Sequence, residues 1–251
     1  MIKWSIIIPA YNEEKRITVT LEDYCSYFRS WKDVELLVVL NGCHDHTLQI
    51  VKKFSRRFSF LRYVDIPDAI GKGGAVLEGF RLAQGSFIGF VDADNATPVA
   101  SFVSLMDGFM GDGVIASRRL PESLVYPQQS FLRRSFSLCF NVLVRTLLFL
   151  PYHDTQCGAK LFTRDATMFV IDKLTTTRWA FDVDLLFVLH RNGFIVHELP
   201  TEWHDIAGSQ LNVGKVSRQM FLAVLRLRLV YSPLSFVVDW YNRVASVFSK
   251  D

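Results

Sequence analysis

The chain has 251 residues, which is enough for one sizeable α/β domain with a buried core. Hydrophobic residues make up 50% of the chain and charged residues 21%, a composition that excludes intrinsic disorder. The net charge of +3 is too small for a nucleic-acid-binding surface, which needs a concentrated basic stripe, so we expect no nucleic-acid partner.

Short apolar runs in the first half predict buried strands, and the amphipathic segments between them predict helices. The runs are almost continuously apolar, as parallel strands covered on both faces require. The predicted strands are Ser5–Pro9, Glu35–Leu40, Leu61–Asp65, Ser86–Asp92 and Val114–Ser117, and the predicted helices lie near 14–30, 46–58, 72–84 and 98–110. This alternation predicts a doubly wound, mostly parallel α/β sheet, which binds ligands beyond the carboxyl ends of its strands.

The second half of the chain is less regular. It predicts a long apolar helix around 130–150, a helix at 182–192, a strand at 194–199 and a helical region from about 215. We therefore expect a catalytic domain over 1–213 and an appended amphipathic helical region over 214–251.

The chain offers no sign of a membrane-spanning segment or a disulfide framework. No window reaches the roughly 18 uninterrupted apolar residues of a spanning helix. The N-terminus enters a strand almost at once, so we expect neither a signal peptide nor a leading anchor. The four cysteines are scattered without a CxxC pair, which is typical of reduced thiols in a cytosolic protein.

Asp92-Ala93-Asp94 closes a predicted buried strand. Two carboxylates at such a place cost desolvation free energy unless a cation binds them. Mg²⁺ or Mn²⁺ suits the pair, because a hard divalent ion takes one or two carboxylates together with substrate phosphates. The alternative is that one aspartate caps the following helix, where Pro98 suits the first turn.

Two further polar segments precede this pair. Pro9-Ala10-Tyr11-Asn12-Glu13-Glu14 follows the first strand, where a nucleotide lies in such sheets, although acidic residues are also common where a helix begins. Gly71-Lys72-Gly73-Gly74 opens a predicted helix, and its backbone N–H groups and lysine suit a phosphate. Taken alone, the second segment is only a flexible glycine loop.

The segments PAYNEE, NGCHDHT, GKGGAVLEGF and DADNATP, in this order and spacing, resemble family 2 glycosyltransferases of the GT-A fold. In the second half, DTQCGAKLF, RWAFDVDLL and WHDIAGS resemble the dolichyl-phosphate β-glucosyltransferase branch, and dolichyl-phosphate mannose synthases are more distant. The resemblance covers about residues 4–213. It implies an inverting enzyme that moves a hexose, glucose from UDP-glucose being favoured, onto a polyprenyl phosphate.

The resemblance also implies roles for matched residues. Asp92 and Asp94 hold the metal and the diphosphate, and Asp182 lies beside the sugar. Asp94, Asp182 and Arg118 are the expected catalytic residues. The remaining donor-site residues are Pro9, Ala10, Tyr11, Glu13, Asn41, Lys72, Ala93, Trp203, Gly208 and Ser209. Two departures affect this assignment: Asn41 stands where many relatives have aspartate, and Gln210 where many have lysine.

A phosphate acceptor needs cations more than it needs a general base, because it is largely dianionic at neutral pH. The arginines expected at the acceptor phosphate are Arg118, Arg119, Arg133 and Arg134. A hydroxyl acceptor would instead need a base, with Asp182 or Asp184 as candidates. The alternative for the arginines is a solvated helix end.

Two segments, around 131–150 and from Lys215 onward, combine basic residues with aromatic and leucine-rich faces. This pattern favours helices that lie on a membrane surface. We expect a cytoplasmic protein bound peripherally to a membrane; core packing and a homodimer are the alternatives. Functional rivals are a family 2 transferase with a GDP-mannose donor or a soluble acceptor, and a non-catalytic nucleotide-binding or scaffold protein.

Overall fold

A computed structural model describes residues 1–127, 131–174, 180–205 and 213–232, with the backbone alone at 131–137, 139 and 213–220. The strands are β1 (Trp4–Ala10), β2 (Val34–Asn41), β3 (Leu61–Ile66), β4 (Phe87–Phe90), β5 (Gly113–Ser117), β6 (Leu124–Tyr126), β7 (Lys160–Thr163), β8 (Val196–Pro200) and β9 (Glu202–His204). The helices are α1 (Ile17–Tyr27), α2 (Thr47–Arg57), α3 (Gly71–Leu82), α4 (Val99–Asp107), α5 (Phe131–Leu148), α6 (Arg164–Ile171), α7 (Phe181–Arg191) and α8 (Val213–Val230).

Seven of these strands form a mixed, mostly parallel sheet in the order β3-β2-β1-β4-β7-β5-β8. In β1, Ile7 pairs with Leu37 of β2 on one side and with Phe90 of β4 on the other. The predicted α/β architecture is confirmed. Strand β7 runs antiparallel to both of its neighbours, and β6 and β9 form a separate two-stranded sheet. The sequence patterns predicted none of these three strands, nor α6.

Helices cover both faces of the sheet, because successive side chains of a strand point to opposite faces. Ile6 and Ile8 of β1 belong to the core that includes α1, α2 and α4. Ile7 belongs to the opposite core, which includes α3, α6 and α7. Val224 and Leu227 of α8 are fully buried in this second core, together with residues of α5, so the C-terminal helix packs against the same unit. None of the described helices is long and apolar enough to cross a membrane.

The ends of β1 and β2 are tied together at the edge where a ligand would bind. Asn12 has a left-handed backbone with φ of 52°, and its Oδ1 accepts the backbone N–H of His44. Glu14 accepts the backbone N–H of His46 at 3.0 Å, and its own N–H donates to Asp45. These contacts give Asn12 and Glu14 a structural role in fixing the loop after β1.

Candidate active site

Asp92-Ala93-Asp94 lies just beyond β4, which ends at Phe90, two residues earlier than the predicted strand. The loop is held through its carbonyl groups. Thr20 Oγ1 donates to the carbonyl of Ala93 at 2.7 Å, and the backbone N–H of His204 donates to the carbonyl of Ala96 at 2.8 Å. The two carboxylates therefore stand on a loop fixed from α1 on one side and β9 on the other.

Neither carboxylate caps the next helix, so that alternative for the motif is wrong. The backbone N–H of Val99, the first residue of α4, donates to Asp23 of α1 at 3.0 Å. Asp94 Oδ1 instead accepts the N–H of Ala96, which precedes the helix.

A chain of ion pairs leads from Asp92 into the interior. Lys72 Nζ lies 2.7 Å from Asp92 Oδ1 and 3.5 Å from Asp182 Oδ2. Lys160, whose side chain is 0% exposed, lies 2.5 Å from Asp182 Oδ1. Burial tends to raise the pKa of Asp182, but Lys160 and Lys72 outweigh it and hold the pKa below its usual range. Asp182 is therefore a charged, weakly basic carboxylate.

Asp94 has a different environment, because its cationic partner Arg16 is shared with Glu13. Arg16 donates through Nε and Nη2 to both oxygens of Glu13, and its Nη1 lies 3.6 Å from Asp94 Oδ2. Burial and then the charge of Asp92 raise the pKa of Asp94. Burial likewise raises the pKa of Glu13. Additional positive charge at this point would be stabilising, since it relieves the repulsion between Asp92 and Asp94.

The donor set fits a hard divalent cation that is shared with a substrate. Asp92 and Asp94 supply carboxylate oxygens, which Mg²⁺ and Mn²⁺ prefer. Among the described residues, no group of three or more His, Cys, Asp or Glu side chains is placed to hold a metal. The remaining ligands would therefore come from phosphate oxygens or water, as is usual for a metal that binds with a nucleotide.

Gly158 is required for the position of Asp92. A Cβ atom built at Gly158 would overlap Oδ2 and Cγ of Asp92 and lie 3.0 Å from its Oδ1. Because only glycine lacks this atom, the loop before β7 can pack directly behind the carboxylate.

Arg118, at the end of β5, is fixed by a buried carboxylate and an aromatic ring. Its Nε and Nη2 donate to Asp154 at 2.7 and 3.0 Å, and its guanidinium carbon lies 5.1 Å from the ring centroid of Trp203. Burial opposes ionisation of Asp154, but Arg118 lowers the pKa of this carboxyl to about 2. Glu198 Oε1 accepts the N–H of Asp154, which ties the pair to β8.

The expected nucleoside end lies at the carboxyl ends of β1 and β2. Ala10 pairs with Leu40, which brings Tyr11 beside Asn41, and the Tyr11 side chain is 52% exposed. Asn41 is buried, and its Oδ1 accepts the backbone N–H of Ile70 at 2.7 Å. This oxygen therefore supports the loop before α3. The amide nitrogen of Asn41 is the group that remains to donate to the edge of a nucleobase.

The structure brings five of the predicted site residues together through ion pairs. Lys72 links Asp92 to Asp182, and Arg16 links Glu13 to Asp94. Ser209 and Gly208 lie outside the described residues, as do the side chains of Arg133 and Arg134. Arg119 follows Arg118 beyond β5.

Sequence reasoning missed Arg16, and it gave no role to Asp154, Gly158 and Lys160, although all three lie in the segment DTQCGAKLF. The sequence did contain a signal for Lys160, which directly precedes the apolar pair Leu161-Phe162. A lysine in a buried strand must find a partner for its charge.

A glycosyl transferase family 2 model matches residues 5–169, and the chain belongs to this family. Dolichyl-phosphate β-glucosyltransferases resemble it over most of its length. The Trichomonas vaginalis protein is 34% identical over 240 residues, covering 90% of this chain and 73% of the relative. The human protein is 33% identical over 243 residues, covering 90% and 75%. The chain is thus a glycosyltransferase of the dolichyl-phosphate β-glucosyltransferase-like kind.

Solved structures agree on the fold. Glucosyl-3-phosphoglycerate synthase from Mycobacterium tuberculosis, in complex with UDP, superposes with a TM-score of 0.67 at 18% identity, covering 92% of this chain and 82% of that one. The same enzyme has been solved with Mn²⁺ and with Mg²⁺ alongside UDP. TarS from S. aureus, in complex with UDP-GlcNAc, has a TM-score of 0.60 at 19% identity, covering 93% and 68%.

Proposed function

We propose that the protein transfers glucose from UDP-glucose to a polyprenyl phosphate, with inversion at the anomeric carbon. Glucose as the transferred sugar is supported by the names of relatives that are 33–34% identical over about 90% of this chain. The observation that carries the acceptor assignment is the state of Asp182, which two lysines hold as a charged carboxylate with a lowered pKa.

A hydroxyl acceptor must lose a proton, and its base works best with a pKa near the operating pH. Asp182 is poorly suited to that task because its pKa is lowered. Asp184, the other candidate, is 0% exposed on α7, so it is not open to an acceptor in this structure. A phosphate monoester is largely dianionic at neutral pH, so an acceptor of this kind requires neither residue as a base.

In the proposed step, a phosphate oxygen of the lipid forms a bond to the anomeric carbon. The bond from that carbon to the β-phosphate oxygen breaks, and UDP leaves with the electron pair. A divalent ion, when bound by Asp92 and Asp94, would neutralise the charge that develops on the diphosphate. Lys72 stands 2.7 Å from Asp92, where its ammonium group can contact the same diphosphate.

Arg118 is the proposed contact for the acceptor phosphate. Asp154 fixes the Nε and Nη2 side of the guanidinium, so the Nη1 side is presented in a constant orientation. A preoriented guanidinium suits phosphate because fewer rotamers are lost on binding. Arg119, Arg133 and Arg134 remain proposed as additional acceptor cations. Trp203 stacks on Arg118 and precedes the segment with Ser209 that is proposed to close over the donor.

Helices α5 and α8 support peripheral contact with a membrane, where a polyprenyl phosphate resides. Val142 of α5 is 51% exposed, Phe149 just after it 71%, and Leu222 of α8 56%. The guanidinium of Arg228 lies 5.3 Å from the ring centroid of Phe149, an arrangement of basic head and apolar body that suits a lipid interface. In the alternative explanation, these exposed apolar residues form a homodimer interface.

The test is a transfer assay with labelled UDP-glucose and labelled GDP-mannose, each with and without polyprenyl phosphate in detergent. We expect label in the lipid fraction only with UDP-glucose plus the lipid. Transfer from GDP-mannose would move the donor assignment to mannose. Transfer to a soluble phosphate in place of the lipid would overturn the acceptor assignment. A folded protein that binds UDP but transfers nothing would favour the non-catalytic alternative.

A further inference from the structure

Lys72 occupies one of the two carboxylate oxygens of Asp92, which is proposed to bind a divalent ion. Its Nζ is 2.7 Å from Asp92 Oδ1, a normal distance for a charge-assisted hydrogen bond. The Lys72 and Asp92 side chains are 35% and 34% exposed, so the pair stands at the mouth of the site where an incoming ligand reaches it. A metal that binds both Asp92 and Asp94 has to displace Lys72 or compete with its charge.

The position of Lys72 is fixed by the interior of the protein. Asp182, held by the fully buried Lys160, lies 3.5 Å from Lys72 Nζ. The first turn of α3 packs directly on α7, because a Cβ atom at Gly73 would meet Cδ2 of Phe181 at 2.5 Å. The ammonium groups of Lys72 and Lys160 also lie over the ring of Phe90, at 5.7 and 5.3 Å from its centroid. Lys72 is therefore a built part of the site and not a freely rotating surface lysine.

We propose that Lys72 acts as the resident cation of Asp92, so that the metal binds well only together with a diphosphate. The inference rests on the proposed function, which supplies the diphosphate. Without a nucleotide, Asp92 already has a positive partner, and a divalent ion gains little by replacing it. A diphosphate offers Lys72 a second anionic partner, which releases Asp92 for the metal. Binding of the metal and of the diphosphate is then mutually reinforcing, because such coupling is reciprocal.

The experiment measures Mn²⁺ binding directly, by the electron paramagnetic resonance signal of free Mn²⁺ and by calorimetry, with and without UDP. The variants are Lys72→Met and Lys72→Gln, each checked for folding by circular dichroism and thermal unfolding. Lys52→Met is the matched control, because it removes the same charge from an exposed position on α2, away from the site. Neither sugar transfer nor an acceptor is required for this readout.

Without UDP, both Lys72 variants should bind Mn²⁺ about tenfold more tightly than wild type, and UDP should improve their Mn²⁺ affinity less than it improves that of wild type. Lys52→Met should match wild type in both conditions. If the Lys72 variants bind Mn²⁺ no more tightly than wild type without UDP, the proposal is wrong, while the proposed transfer reaction stands. If neither wild type nor the variants bind Mn²⁺ even with UDP, both this proposal and the metal assignment fail.

Discussion

Replacing Gly158 with alanine should impair catalysis while leaving the fold largely intact. The new methyl group would overlap Oδ2 and Cγ of Asp92 and stand 3.0 Å from its Oδ1, well inside ordinary contact distance. The carboxylate would have to move by about 1 Å, a misplacement that typically costs about a hundredfold in rate. We therefore expect kcat/KM for transfer to fall about a hundredfold, equivalent to about 2.7 kcal/mol of transition-state stabilisation. Gly158 is not among the positive-φ glycines, so alanine can adopt its backbone conformation.

Gly193→Ala is the matched control for this substitution. Gly193 has φ of 81° and no heavy atom within 4 Å of an added Cβ, so alanine there strains only the backbone. It should lower the free energy of unfolding by about 1 kcal/mol and leave transfer unchanged. Transfer rates and thermal unfolding of both variants are compared with wild type. A folded Gly158→Ala enzyme with wild-type kcat/KM would refute the assigned role of Asp92.

Further predictions concern the buried charges and the metal. Asp154→Asn should lower the free energy of unfolding by about 2 kcal/mol at pH 7, because the pKa of Asp154 is lowered from 3.8 to about 2 in the fold. This stabilisation is present above pH 4 and is lost as pH falls towards 2. Denaturant unfolding of wild type and variant at pH 7 and pH 3 measures the difference. Glu35→Ala should cost about 3 kcal/mol, since the buried carboxylate accepts from Ser5, Arg62 and the N–H of Gln84; urea unfolding measures it, and a loss below about 1 kcal/mol would contradict it. EDTA should abolish transfer, and Mn²⁺ or Mg²⁺ in excess should restore it; transfer that persists in EDTA would contradict a metal requirement.

Much of the fold could be predicted because its signals are local. Nearly continuous apolar runs marked β1 and β2, and glycine-rich or acidic segments marked the strand ends where a ligand is proposed to bind. Strand β7 was missed because it has only four residues, begins with Lys160 and contains two apolar side chains. The residue that neutralises this lysine, Asp182, is 22 positions away. Strands β6 and β9 have three residues each, too few to show a period.

The environments of the candidate site residues could not be predicted for the same reason. The motif around Asp182 indicated a carboxylate at the site, but its two lysines come from α3 and β7. Asn41 was expected at the nucleoside, yet its side-chain oxygen accepts from Ile70, 29 residues later. In both cases the sequence identified the residue, and only tertiary contacts determined its charge and hydrogen bonding.

Transfer of labelled glucose from UDP-glucose to polyprenyl phosphate by wild type and by Asp94→Ala, with saturating Mn²⁺, tests the central claim most directly. Asp94 accepts a hydrogen bond from Ala96 in its own loop and caps no helix, so its removal should leave the protein folded. We expect wild type to label the lipid and folded Asp94→Ala to lose at least about a thousandfold in kcat/KM. Undiminished transfer by Asp94→Ala would contradict the account.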